Sequence, residues 1–344
     1  MSLNKTYYIC VILFFLNSAC FAESNLTVFE VNKKLGRGIN LGNALEAPEE
    51  GQWGVTLREE YFKVIKQAGF ESVRIPIKWS AHALQQKPYT IDANFFERVD
   101  WAVRNALSNN LHAVINMHHY DEIYDEPEKH PERFVCLWEQ IAEHYKGQNE
   151  TVLFELLNEP CKKLDDKIWN RLAADTLQVV RKSNPHRLIV IGPTNWNNID
   201  KLDKLVLPDS DRNIIVSFHY YQPFNFTHQG AEWIGEQSKN WLGTKWTGTD
   251  REKQAIEKDF DRVLEWGKEH NRPIHLGEFG AYNKADMQSR ARWTAFVARE
   301  AEKRNFSWSY WEFCSGFGVY DSSEKKWRQP LLKSLITETR VTDN

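Results

Sequence analysis

The sequence predicts a single (β/α)8 barrel, the TIM-barrel member of the α/β class. Three observations carry that prediction. Eight short apolar runs alternate with amphipathic stretches, the pattern of parallel βα units. A chain of 344 residues, 42% of them hydrophobic, has room for all eight in one closed barrel. The alternative, a doubly wound open sheet, usually carries a GxGxxG phosphate turn after its first strand, and that turn is absent.

The runs are GINLG (38–42), SVRIP (72–76), LHAVINMHH (111–119), TVLFELLNEP (151–160), RLIVIG (187–192), NIIVSFHYY (213–221), RPIHLGEFG (272–280) and FSWSYWEF (306–313). Helices are expected over 56–68, 94–109, 132–146, 166–183, 250–270 and 286–304. In the first of these Tyr61, Phe62, Ile65 and Ala68 recur at helical spacing. Thr56 and Asp92 are candidate N-caps, and Gly69 closes the first helix. After RLIVIG only a short helix fits, near 198–206. No Pro/Gly/Ser linker divides the chain.

Residues 1–22 read as a secretory signal. Lys5 supplies a positive start, Tyr7 to Leu16 an apolar stretch too short to span a bilayer, and Ser18 to Ala22 small residues before a cleavage site. Cys20 behind Ser18-Ala19 is a weak lipoprotein signal that Asn17 fits poorly. The expected location is secreted or periplasmic, with no membrane association after cleavage. Residues 23–344 keep Cys136, Cys161 and Cys314, too few and too widely spaced for a disulfide framework or a CxxC metal site. A net charge of -3 without basic blocks gives no nucleic-acid footprint. The chain is expected to be a monomer.

In a barrel, functional side chains sit at the C-terminal strand ends. Polar or aromatic groups gather at seven of the eight: Asn43, Arg74, His118 with His119, Asn158 with Glu159, His219 with Tyr221, Glu278, and Trp311. Residues two apart share a strand face. His219 and Tyr221 therefore share one with Ser217 and Ile215. By the same count Glu278 shares a face with Ile274 and Leu276, and His275 should pack outward under a helix. Asn158 and Glu159 are consecutive, so their strand must bulge or end there. Glu155, deeper in the run, reads as a buried acid paired with a barrel arginine. His118 and His119 make a poor metal pair, because neighbours on a strand point to opposite faces and no third ligand stands near.

Two carboxylates facing each other across a barrel mouth suit glycoside hydrolysis: one protonates the leaving oxygen, the other attacks the anomeric carbon or activates water. Spacing in sequence does not choose between those two outcomes. LNEP and GEFG, together with VRIP, NMHHY, SFHYY and YWEF in this order, resemble glycoside hydrolase family 5 over essentially all of 23–344. GINLGNALEAP, FTHQGAEW and GEFGAYNKADM resemble its endoglucanase subgroup, some of whose members also cut mannan. The resemblance implies a retaining endo-β-1,4-glucanase, with Glu159 as general acid/base and Glu278 as nucleophile. It implies that Arg74 and Tyr221 hold Glu278, lowering its pKa, and that Asn158 binds the sugar 2-hydroxyl. His118 and His219 match site histidines, and Trp311 matches the floor under the sugar. Asn43, Glu46, His119 and Trp233 match sugar-contacting positions. No cofactor or metal is implied; the partner is a β-1,4-linked polysaccharide. The loop 221–250, with Trp233, Trp241 and Trp246, is expected to wall one side of the cleft. Alternatives are a β-1,4-mannanase of the same family and a non-catalytic glycan-binding barrel.

Overall fold

The computed structural model describes residues 26–336; the expected signal segment lies outside them. Eight strands close a parallel barrel in sequence order. They are β1 (Arg37–Asn40), β2 (Ser72–Ile75), β3 (His112–Asn116), β4 (Val152–Glu155), β5 (Ile189–Ile191), β6 (Ile214–His219), β7 (Ile274–Phe279) and β8 (Ser307–Tyr310). Each expected run carries one strand, β1 starting one residue early at Arg37. The ladder in β4 stops at Glu155, so Asn158 and Glu159 project from the loop that follows, as their adjacency requires.

The six expected helices appear as Glu59–Ala68, Ala93–Ser108, Pro131–His144, Asp166–Ser183, Asp250–Glu269 and Met287–Lys303. Asp92 caps its helix by accepting from Asn94 N at 2.9 Å. Gly69 closes the first helix at a φ of 103°. Thr56 is not a cap: that helix starts at Glu59 with Arg58 before it. The weak segment after β5 is a 3-10 helix, Ile199–Lys204. An additional helix, Val28–Leu35, starts in a capping box formed by Thr27 and Glu30. It plugs the bottom of the barrel, where Val31 and Leu35 pack on Val114, Leu153, Val190 and Ile215. The larger core lies between strands and outer helices and takes Val73, Ile75, Ile115, Phe154, Ile189, Phe218, Ile274 and Leu276.

The strand faces correct one expectation. Ile274 and Leu276 face the helices, yet Glu278 reaches the axis. The β6–β7 register shifts at Phe218/His219, and the β7–β8 register shifts between Leu276 and Phe279. This irregularity brings Gly277 and Glu278 inward together. Gly277 is required there, since a Cβ would lie 2.6 Å from Ser217 Oγ and 2.9 Å from His219 Nε2. His275 is interior too, not under a helix. Its Nδ1 is 2.7 Å from Ser307 Oγ and its Nε2 3.3 Å from Ser309 Oγ. Cys136, Cys161 and Cys314 are free thiols. Among the described residues no helix is long and apolar enough to cross a membrane.

Candidate active site

Arg74 of β2 is the hub. It is fully buried, and only a dense set of acceptors makes that tolerable for a charge. Its Nε and Nη2 fork onto Glu155 at 2.6 and 2.8 Å. Nη1 donates to Asn40 Oδ1 and to Glu278 Oε1, both at 2.8 Å. Nη2 also donates to Asn158 Oδ1 at 2.6 Å, turning that amide's NH2 away from the guanidinium. Burial works against the Arg74 charge, but Glu155 and Glu278 outweigh it and its pKa rises. The pairing expected for Glu155 is present.

Glu278 accepts a second hydrogen bond from Tyr221 Oη at 2.9 Å. His219 Nδ1 lies 3.6 Å from Glu278 Oε2, and His118 Nε2 lies 3.9 Å from its Oε1. Arg74 was expected to leave Glu278 with a lowered pKa. Burial instead dominates and raises it, against the pull of His219, Arg74 and Tyr221. Glu159 is raised to about 8, again chiefly by burial, with Arg74 opposing and Glu155 adding. About a quarter of its side chain (24%) still meets solvent. Its Oε1 pairs with His219 Nδ1 at 2.7 Å. Burial drops His219 to about 4 and His118 well below its usual value, so both rings are neutral near pH 7.

One carboxylate oxygen of Glu159, one of Glu278 and a His219 nitrogen all lie within 4.8 Å of one another. That spacing belongs to a carboxylate pair acting directly on one carbon; a pair with a water between sits about 6.5–9.5 Å apart. The same three atoms have metal-ligand spacing, but the Arg74 guanidinium on Glu278 opposes a cation there.

Trp311, from the end of β8, stacks on His118 with centroids 5.4 Å apart and planes 7° apart. His119 meets Trp53 edge-on at 5.7 Å. Asn43 has a left-handed backbone, φ 64°, and its backbone N–H donates to the Glu46 carboxylate. Glu46 was expected at a sugar-contacting position. It is buried, its pKa is pushed up to about 8 by burial, and its carboxylate also accepts from Ala44 N at 2.9 Å. Through these two bonds it shapes the Asn43 loop. Trp233 is 58% exposed and packs edge-on against Tyr282 at 4.9 Å. The expected aromatic wall is incomplete: Trp246 is buried against Phe296, turned into the helix layer.

Sequence reading missed Asn40, Asn116, Trp53, Trp196, Asn197 and His228. Strand 5 had no polar end, and the structure supplies one from its loop. Trp196 is 50% exposed, and Asn197 Nδ2 sits 3.2 Å from His219 Nε2. The run of asparagines in PTNWNN was the available signal, since Asn tolerates left-handed backbone. Asn116 takes Ile77 N on Oδ1 at 3.2 Å, which aims its NH2 at His118 Nδ1, 3.0 Å away. His118 therefore carries its proton on Nε2, facing Glu278. His228 lies edge-on to Tyr221 at 4.9 Å.

A closed (β/α)8 barrel with two carboxylates opposed across its C-terminal mouth is the architecture of a glycoside hydrolase. Residues 34–316 match the family Cellulase (glycosyl hydrolase family 5). The chain belongs to that family. It is 39% identical over 284 residues to Endoglucanase H of Acetivibrio thermocellus, covering 83% of this chain and 30% of that protein. It is 29% identical over 308 residues to Cellulase/esterase CelE of the same organism, covering 84% of this chain and 36% of that protein. The chain thus spans about a third of the length of these two relatives. Among solved structures, endoglucanase Cel5A from Thermotoga maritima is 53% identical, with a TM-score of 0.89 over 90% of this chain and 100% of that one. A Cel5A complex with mannotriose is 52% identical, with a TM-score of 0.88 over 90% and 99%.

Proposed function

We propose that the chain is a secreted endo-β-1,4-glucanase that works by retaining double displacement. The observation that carries this is the Glu159–Glu278 approach within 4.8 Å, with Glu278 held by Arg74 and Tyr221. A Glu278 oxygen attacks the anomeric carbon as the glycosidic C–O bond breaks, and the departing oxygen takes the proton of Glu159. The product is a glycosyl ester of Glu278 and an ionised Glu159. With the Glu278 charge gone, Glu159 is a base in reach of water. It takes a proton from water, the water oxygen attacks the same carbon, and the ester bond breaks to restore Glu278. Asn158, its oxygen fixed by Arg74, offers its NH2 to the sugar 2-hydroxyl. Trp311 and Trp233 offer flat apolar faces to sugar rings.

A second activity on β-1,4-mannan is part of this reading. It is supported by the 52% identity to a Cel5A whose complex holds mannotriose. The test is reducing-end release by the purified mature chain from soluble β-1,4-glucan and β-1,4-mannan, with Glu159→Ala as the blank. Faster release from glucan, lost in the blank, is expected. Release from mannan alone would make the enzyme a mannanase. Tight glycan binding with no release from either would mean a binding barrel.

The raised pKa of Glu159 sets the alkaline limb of the pH profile. Burial keeps it protonated below about pH 8, so the acid form is fully present near neutrality and is lost as pH rises through that value. The kcat/KM for glucan is expected to fall tenfold per unit above it. A profile that already falls between pH 4 and 5 would show that burial does not control this group.

A further inference from the structure

We propose that Asn197 is a positioning residue: its amide holds the His219 imidazole with the proton on Nδ1, and so directs the acid proton of Glu159 to Oε2. This rests on the assignment of Glu159 as the proton donor.

The chain reaches Asn197 through three consecutive non-glycine residues in left-handed backbone. Asn195, Trp196 and Asn197 have φ values of 57, 61 and 54°. Non-glycine residues are disfavoured in this region, and a tryptophan there is uncommon. The turn is anchored on both sides. Trp196 N donates to the carbonyl of Pro160, next to Glu159, at 3.2 Å. Asn198 N donates to Thr194 O at 3.3 Å. Inward, the Asn197 amide lies over Gly192, where a Cβ would come within 2.1 Å of Oδ1. Only glycine leaves that space. The strained turn therefore delivers two side chains: Trp196 outward to solvent and Asn197 inward to His219.

Asn197 Nδ2 is 3.2 Å from His219 Nε2, and His219 Nδ1 is 2.7 Å from Glu159 Oε1. With Nδ2 turned to the ring, which leaves the buried Oδ1 without a hydrogen-bond partner among the described residues, the amide donates, Nε2 accepts and the ring proton sits on Nδ1. Nδ1–H then donates to Oε1. The carbonyl oxygen of a carboxylic acid is the stronger acceptor, so this bond favours the acid proton on Oε2, where no hydrogen bond from a described residue competes for it. The cycle selects the same tautomer. When Glu159 has given its proton away, Nδ1–H still has a carboxylate to donate to. A bare Nδ1 would face Oε1 with a lone pair on each side at 2.7 Å.

The test uses the full mature chain labelled with 15N-histidine, with the His219 signal assigned by its loss in His219→Gln. Wild type is expected to carry its proton on Nδ1. In Asn197→Asp the new carboxylate attracts a proton to Nε2, seen as a protonated Nε2 shift. Proton donation then suffers selectively. The kcat/KM for soluble β-glucan should fall by roughly tenfold or more, while that for 2,4-dinitrophenyl β-cellobioside, whose phenolate leaves without protonation, should stay within about twofold. A wild-type His219 protonated on Nε2 would overturn the proposal, and so would equal losses on both substrates. An Nδ1–H tautomer in a wild type inactive on both substrates would leave the tautomer assignment standing and remove the functional reading.

Discussion

Glu278→Ala is expected to lower glucan hydrolysis by roughly 10⁵-fold, a barrier increase of about 7 kcal/mol. The size follows from what the residue does. Without its oxygen no glycosyl ester forms, and Arg74 and Tyr221 are left pointing at an empty position. Folding should survive, because the change deletes a buried carboxylate whose desolvation is only partly repaid. The sharper measurement adds azide and an activated aryl β-cellobioside. Azide fills the vacated space, attacks the anomeric carbon from the Glu278 side and expels the phenolate, giving the α-glycosyl azide. In Glu159→Ala the nucleophile is intact, the ester forms, and azide enters from the Glu159 side to give the β-azide. The two products assign the two acids separately. A β-azide from Glu278→Ala would reverse the roles, and an unchanged rate would place the nucleophile elsewhere.

The second large effect is on stability. Arg74→Met should destabilise the protein by about 3–5 kcal/mol, because the cation that compensates two buried carboxylates is gone. In a domain of this size that lowers Tm by roughly 5–10 °C. The direction with pH can be worked out. Glu278 already has a raised pKa, and losing Arg74 raises it further. Protonation at low pH removes its charge, so the stability gap between wild type and variant should narrow as pH falls. Replacing Glu155 as well, in Arg74→Met/Glu155→Met, should recover part of the loss, since an apolar pair needs no compensation. Calorimetry of the three proteins between pH 4 and 8 checks this. A single variant as stable as wild type would mean that the hub contributes geometry alone. Arg74→Lys keeps a charge but lacks the fork that reaches Glu155, Glu278, Asn40 and Asn158 together, so it should remain slow.

Much of this site was legible from residue order. The eight strands, the polar ends of seven of them and a barrel arginine for Glu155 follow from period-two apolar runs and from the cost of burying unpaired charge, while the Tyr221–Glu278 contact came from the family resemblance. Those are local rules or rules of compensation, and a linear sequence carries both. Thr56 was misread because a capping residue is defined by where the backbone turns helical. Trp246 was misplaced because a loop's path decides whether an aromatic group faces the cleft or the core.

What only the tertiary structure decided is direction and distance. Alternation placed Glu278 with Leu276 and sent His275 outward. A register shift against β6 and β8 at Gly277 reversed both, and such a shift depends on neighbouring strands about 30 residues or more away in sequence. The approach of Glu159 to Glu278 within 4.8 Å, which chooses direct attack over a water-filled gap, exists only once the barrel closes. The fifth strand's contribution stayed hidden for the same reason. Asn197 has no meaning for catalysis until a left-handed turn sets it over Gly192 and against a histidine from the next strand. Sequence determined which chemical groups the barrel would present; closure of the sheet determined which of them touch.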